Sequence, residues 1–114
     1  MSVAIKRAYA KPSKEDGYRV LVDRMWPRGV SKADAQLDEW LKEVAPSSNL
    51  RKWFAHDPDK WDKFKSRYFR ELESHQGKLA SLAAKARRHR VTLVFGAKEE
   101  RFNNAAALKE FIGQ

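Results

Sequence analysis

The chain contains no cysteine. Within these 114 residues that excludes a disulfide framework, a thiolate zinc site and a thiol nucleophile. Histidine is scarce as well: His56, His75 and His89 stand alone, without HExxH-type spacing, so the residues point to no metal. Neither a G-x-G-x-x-G nor a GxxxxGK[ST] run occurs, so no dinucleotide or P-loop site is supported and no cofactor is implied. No stretch approaches the ~18 apolar residues of a membrane span, and the opening MSVAIKRAYA lacks a signal-like apolar run. The cytosol is the expected location. Repeats, low-complexity tracts and linkers are missing too, so one domain over 1–114 is expected.

What the chain does have is positive charge. Lysine and arginine number 24 against 15 acidic residues, a net +9. The excess is concentrated: residues 1–30 carry seven basic and three acidic side chains, 31–76 balance, and 77–101 carry seven against two. Such asymmetry suits an anionic partner, either a nucleotide or phosphometabolite or a nucleic acid. It equally suits a solubilising surface. Apolar residues at 42% and thirteen aromatics supply enough burial for a core.

Apolar and polar residues alternate from Val3 to Tyr9, which reads as a strand over 3–9. Tyr18 to Asp23 is a second strand, apolar on both faces at Val20-Leu21-Val22, and 91–95 is a third buried one. Ser31 reads as a helix cap, followed by Leu37, Trp40, Leu41 and Val44 at i, i+3, i+4, i+7, an amphipathic helix ended by Pro46. Ser47 or Ser48 caps a short helix with Leu50, Trp53 and Phe54, and Asp57-Pro58 opens another bearing Trp61, Phe64, Tyr68 and Leu72. Gly77 is expected to break it before a basic helix ending near Arg90, and Asn103 to cap a closing helix over 105–112. The expected fold is α/β: a small, mostly parallel sheet of about three strands (3–9, 18–23, 91–95) packed with about five helices. The direction of 3–9 relative to 18–23 is open. The helical block over 32–90 is long enough to bring 91–95 parallel to 18–23.

The segment DGYRVLVDRMWPRG (16–29) resembles the YeaO-like branch of the domain-of-unknown-function 488 superfamily. The likeness continues through LDEWLKEVAPSSNLRKWFAHDPDKWDKFKSRYFREL (37–72) and VTLVFGAKEERFNNAAALKEFI (91–112), nearly the whole chain. It implies a compact α/β domain of bacterial type and brings no activity with it. Relatives often have histidine where Asn104 stands here, and the wider superfamily can carry a Cys-His-Arg-like motif after the final strand. This chain has Phe102-Asn103-Asn104 there, so the resemblance implies neither chemistry at that point.

In open parallel sheets ligands bind beyond the carboxyl ends of the strands, which singles out the loops 23–29 and 96–104. Arg24 and Arg28 can fork a phosphate or carboxylate, Trp26 can wall or stack a ring, and Lys98, Asn103 and Asn104 lie opposite at a helix start. Packing and turn roles for Trp26 and Arg28, and a plain helix cap for Asn103, are the competing readings. Asp23 and His56 are the candidates for proton handling, against a structural salt bridge and a loop histidine. The sequence thus points to a small anionic ligand at these loops, with or without catalysis. The alternative is a non-enzymatic module that contacts nucleic-acid phosphates non-specifically through Lys85, Arg87, Arg88 and Arg90.

Overall fold

The segment RVTLVF, buried from Val91 to Phe95, forms a strand flanked on both edges, which accounts for its burial on both faces. In the computed structural model, which describes residues 1–113, this strand is β4 (Arg90–Phe95). One edge pairs with β1 (Ser2–Arg7), from Ser2↔Arg90 to Arg7↔Phe95, and the other with β2 (Tyr18–Leu21), from Tyr18↔Val91 to Leu21↔Val94. A two-residue strand, β3 (Glu39–Trp40), pairs outside β2, so the order is β1-β4-β2-β3 and every pairing is parallel. The two N-terminal strands therefore run in the same direction, separated by the strand that comes last in the chain.

The sheet buries both faces unequally. Val20, Val22, Val91, Leu93 and Phe95 face the main core with the helices, while Leu21 and Val94 join Ala8 on the other side. Part of that second side is covered by the connection from β1 to β2, which contains no α-helix. Residues 8–17 return from the end of β1 to the start of β2, and Thr92 donates to the Asp16 carbonyl beneath them. Asp16 gathers Lys6 at 3.0 Å and Arg19 at 2.7 Å, and the Ser13 backbone N–H as well. Arg19, only 3% exposed, also donates to the carbonyls of Ala35 and Gln36. Gly17 sits at φ +66, and a Cβ there would collide with the Arg90 carbonyl, so only glycine serves.

The helices follow their caps. Ser31 accepts from Asp34 N–H at the single-turn α1 (Lys32–Ala35), and Ser47 from Leu50 N–H at α2 (Ser48–Phe54). Asp57 with Pro58 starts a 3₁₀ turn that runs into α3 (Trp61–Leu72), which buries Phe64, Tyr68 and Leu72. After α4 (Gln76–Arg88) and β4, Asn103 caps α5 (Asn104–Ile112) by accepting from Ala106 N–H.

Two expectations are corrected. The spacing of Leu37, Trp40, Leu41 and Val44 predicts a helix, yet α1 stops at Ala35, Gln36 turns left-handed at φ 47, and the chain becomes β3. The outer edge of β2 needs partners, and residues 38–41 provide them. Asp38 N–H donates to Arg19 O, Leu41 N–H to Leu21 O, and the Asp38 carboxylate accepts from Arg19 N–H. The four apolar residues then divide between the two layers, Leu37 and Trp40 on one side and Leu41 and Val44 on the other, which one helix face cannot do. Nor does Gly77 break the helical run. The break is a 3₁₀ turn at Glu73–His75, where the Ser74 hydroxyl donates to the Glu71 carbonyl in competition with the helical ladder, and Gly77 lies inside α4.

Candidate functional site

At the carboxyl ends of β2 and β4 a cleft of about 240 Å³ opens between the sheet, α2 and the start of α5. Parallel pairing explains its position. Both strands deliver their following residues, Asp23-Arg24 and Gly96-Ala97, to the same rim. Arg51, His56 and Asn104 supply the other polar groups, and Phe54 and Phe64, stacked at 4.2 Å, form an apolar wall.

Asp23 fastens the two strand ends. Its Oδ2 accepts from Gly96 N–H at 2.8 Å, and Oδ1 accepts from Asn104 Nδ2 at 3.0 Å. Asn104 also donates to Val22 O at 3.1 Å, so one amide in the first turn of α5 holds the end of β2 twice. Burial pushes the Asp23 carboxyl above its ordinary value, against these two hydrogen bonds and the attraction of Arg51 and His56.

Arg24 is exposed and donates to the Ala45 carbonyl at 3.3 Å, a contact that leaves most of its guanidinium donors unengaged. Arg51 is exposed on α2, and among the described residues neither arginine makes an ion pair. His56 follows Ala55 in a left-handed pair, φ 47 and then φ 56, unusual for residues with a Cβ. The backbone bonds Ala55 N–H to Arg51 O and Asp57 N–H to Phe54 O hold this reversal. His56 Nδ1 lies 3.1 Å from Phe102 O. A carbonyl can only accept, so Nδ1 carries the hydrogen and Nε2 is the atom left for a ligand or solvent.

Four of the residues singled out in the sequence thus meet in one cleft: Asp23, Arg24, His56 and Asn104. The others lie elsewhere. Trp26 packs edge-on to Trp40 at 5.5 Å and donates its Nε1–H to Val30 O, on the second side of the sheet. Arg28 is exposed, and it is its backbone carbonyl that accepts from Tyr9 OH. Lys98 is exposed on the loop after Gly96, outside the cleft lining, and Asn103 is fully buried as the α5 cap, donating to Glu99 O as well. Arg51 was not singled out. It lies three residues before Phe54 on α2, so the two share a helix flank, and the turn at Ala55 and His56 brings that flank to the cleft.

Lys85, Arg87, Arg88 and Arg90 lie where α4 ends and β4 begins, at the opposite end of the sheet from the cleft. Lys85 Nζ sits 4.7 Å from the centroid of the Tyr18 ring, and Arg90 donates to Ser2 Oγ at 3.0 Å. Tyr18, Lys85, Arg88 and His89 border a shallow groove there. Among the described residues no cluster of His, Asp and Glu side chains fits a metal ion, and no helix is long and apolar enough to cross a membrane.

Comparison with known proteins gives one family. The model of the inactive DUF488-N3 subclade matches residues 2–114. The uncharacterized protein YeaO of Escherichia coli (strain K12) is 40% identical over 112 residues, spanning 98% of this chain and 97% of that protein. The uncharacterized protein Rv3073c of Mycobacterium tuberculosis (strain ATCC 25618 / H37Rv) is 40% identical over 110 residues, spanning 96% and 92%. No solved structure matches the chain.

Proposed function

The chain belongs to the inactive DUF488-N3 subclade, and from that premise we propose that it binds a small anionic molecule in the cleft of Asp23, Arg24, Arg51, His56 and Asn104 without turning it over. The observation that carries this reading is the pair Arg24 and Arg51. Two guanidinium groups border one cleft beyond the carboxyl ends of parallel strands, neither used in an ion pair among the described residues. Such forks match phosphate or carboxylate oxygens, and the start of α5 beside them adds partial positive charge. The subclade's designation as inactive and the lack of any cysteine both favour binding over catalysis.

The test is a thermal-shift and calorimetric titration with inorganic phosphate, pyrophosphate and adenosine monophosphate. Binding to the folded state raises the melting temperature by mass action. Arg24→Ala and Arg51→Ala should each weaken the response about tenfold or more, the scale of one charge-assisted hydrogen bond, whereas Lys98→Ala should not. A response that survives both arginine replacements, or no response to any anion, overturns the reading.

A second reading has its own support, the basic end of α4. Lys85 over the Tyr18 ring, with Arg88 and His89 along the same groove, combines cationic side chains with an aromatic face. That combination suits the backbone of a single-stranded nucleic acid. Binding of a short oligonucleotide should then fall steeply with salt and be lost on charge reversal at Arg87 and Arg88. Binding indifferent to both would remove this reading.

A further inference from the structure

Two arginines account for an anion in the cleft, but a carboxylate on the same wall would repel it. Asp23 is that carboxylate. Each of its oxygens accepts one hydrogen bond, from Asn104 and from the Gly96 backbone, and each keeps a second acceptor position. Among the described residues it forms no ion pair. The four pairs present join Lys6 and Arg19 to Asp16, Lys65 to Glu110, and Lys78 to Glu43. In a chain with 24 basic side chains, a partly buried carboxylate that takes no direct ion pair, although two arginines border the same cleft and Arg51 attracts it from beyond contact distance, is conspicuous. Fastening two strand ends requires acceptors, not a charge. Burial already makes the charge of Asp23 costly, as the rise in its pKa reflects.

We propose that the ligand of this cleft is amphoteric, a small molecule whose anionic group lies with Arg24 and Arg51 and whose ammonium or N–H group donates to Asp23. The inference rests on the anion-binding reading and adds a second charge to it. The cleft, about 240 Å³, is smaller than the roughly 300–1,000 Å³ of pockets for drug-sized ligands. A compound the size of an amino acid or an aminoalkyl phosphate fits that space, and Phe54 and Phe64 offer apolar surface to its carbon stem. Asp23 then serves selectivity, because a ligand lacking the donor leaves a buried acceptor unmatched.

The experiment compares matched probes by amide NMR titration of the intact chain at neutral pH: phosphoethanolamine against ethyl phosphate, and β-alanine against propionate. The first pair probes a phosphate source of the anion and the second a carboxylate source. In at least one pair the amino compound should bind about tenfold or more tightly than its partner, with the Gly96 and Asn104 amides responding. In Asp23→Asn that ratio should fall to about one, the amino compound binding more weakly and ethyl phosphate or propionate at least as tightly as before, because the repelling charge is gone. Equal or weaker binding of the amino compound in both pairs overturns the inference and leaves the anion reading standing. If no probe shifts the cleft amides, both fall together. Should Asp23→Asn fail to fold, the ratio in the unaltered chain decides alone.

Discussion

The backbone N–H of Gly96 donates to Asp23 Oδ2 at 2.8 Å, so the residue after β4 fixes the carboxylate that follows β2. The approach is close enough that a Cβ on residue 96 would lie 3.1 Å from that oxygen. Gly96→Ala should therefore displace the carboxylate by a few tenths of an ångström at a cost of about 1 kcal/mol, read as a lower urea midpoint. Phosphoethanolamine should bind severalfold more weakly to this variant while ethyl phosphate is unaffected. Unchanged binding of both would mean that the position of Asp23 does not govern the cleft.

Asp16 leads to an acid-sensitivity prediction. Burial opposes its charge, but hydrogen bonds from Lys6, the Ser13 backbone and Arg19 outweigh that and hold the carboxyl below its ordinary value. A carboxyl depressed in the fold stabilises the protein fully above its unfolded value of about 3.9, and that stabilisation is lost as pH falls through the lower folded value. Asp16→Asn should cost about 3 kcal/mol at neutral pH, because Arg19 is left buried without its anion. It should also flatten the decline in stability below pH ~4. Chemical denaturation at a series of pH values checks both, and parallel profiles for the two proteins would show that Asp16 is not the linked group.

Much of this arrangement was legible in the residues. Val20-Leu21-Val22 is a continuous apolar run and Val91 to Phe95 an apolar one interrupted only by Thr92, because both strands are covered on both faces. From two such strands with a long helical block between them, the parallel pairing and the loops at their carboxyl ends follow, and with them Asp23, Arg24 and Asn104. Strand β3 was not legible. It is two residues long, and Leu37, Trp40, Leu41 and Val44 mimic a helical stripe while serving two different layers. Arg51 was missed for a related reason. The flank of a short helix becomes a cleft wall only once the left-handed turn at Ala55 and His56 folds back toward Phe102.

Gly17 marks where the connection between β1 and β2, a single 3₁₀ turn with no α-helix, meets the sheet. Its positive φ and the approach of the Arg90 carbonyl leave no room for a side chain. Gly17→Ala should destabilise the protein by more than about 2 kcal/mol, a fall in melting temperature of roughly 8 °C or more. A smaller fall would mean that the 8–17 segment can shift off β4 without disturbing the rest.

Trp26 and Arg28 invite assignment to a ligand site by residue type alone, and neither lines the cleft. The Trp26 indole already spends its donor on Val30 O and its edge on Trp40, and Trp40 in turn donates to Asp23 O. Trp26→Ala should therefore cost about 2 kcal/mol, less than a fully buried tryptophan because the residue is only partly buried, and should leave the affinity for cleft anions unchanged. Arg28→Ala should change neither stability beyond about 0.5 kcal/mol nor anion affinity, since the bond from Tyr9 uses the backbone carbonyl that alanine retains. A tenfold loss of anion affinity in Arg28→Ala would mean that the 23–29 loop folds over the bound ligand, and the site would then have to include that loop as a moving wall.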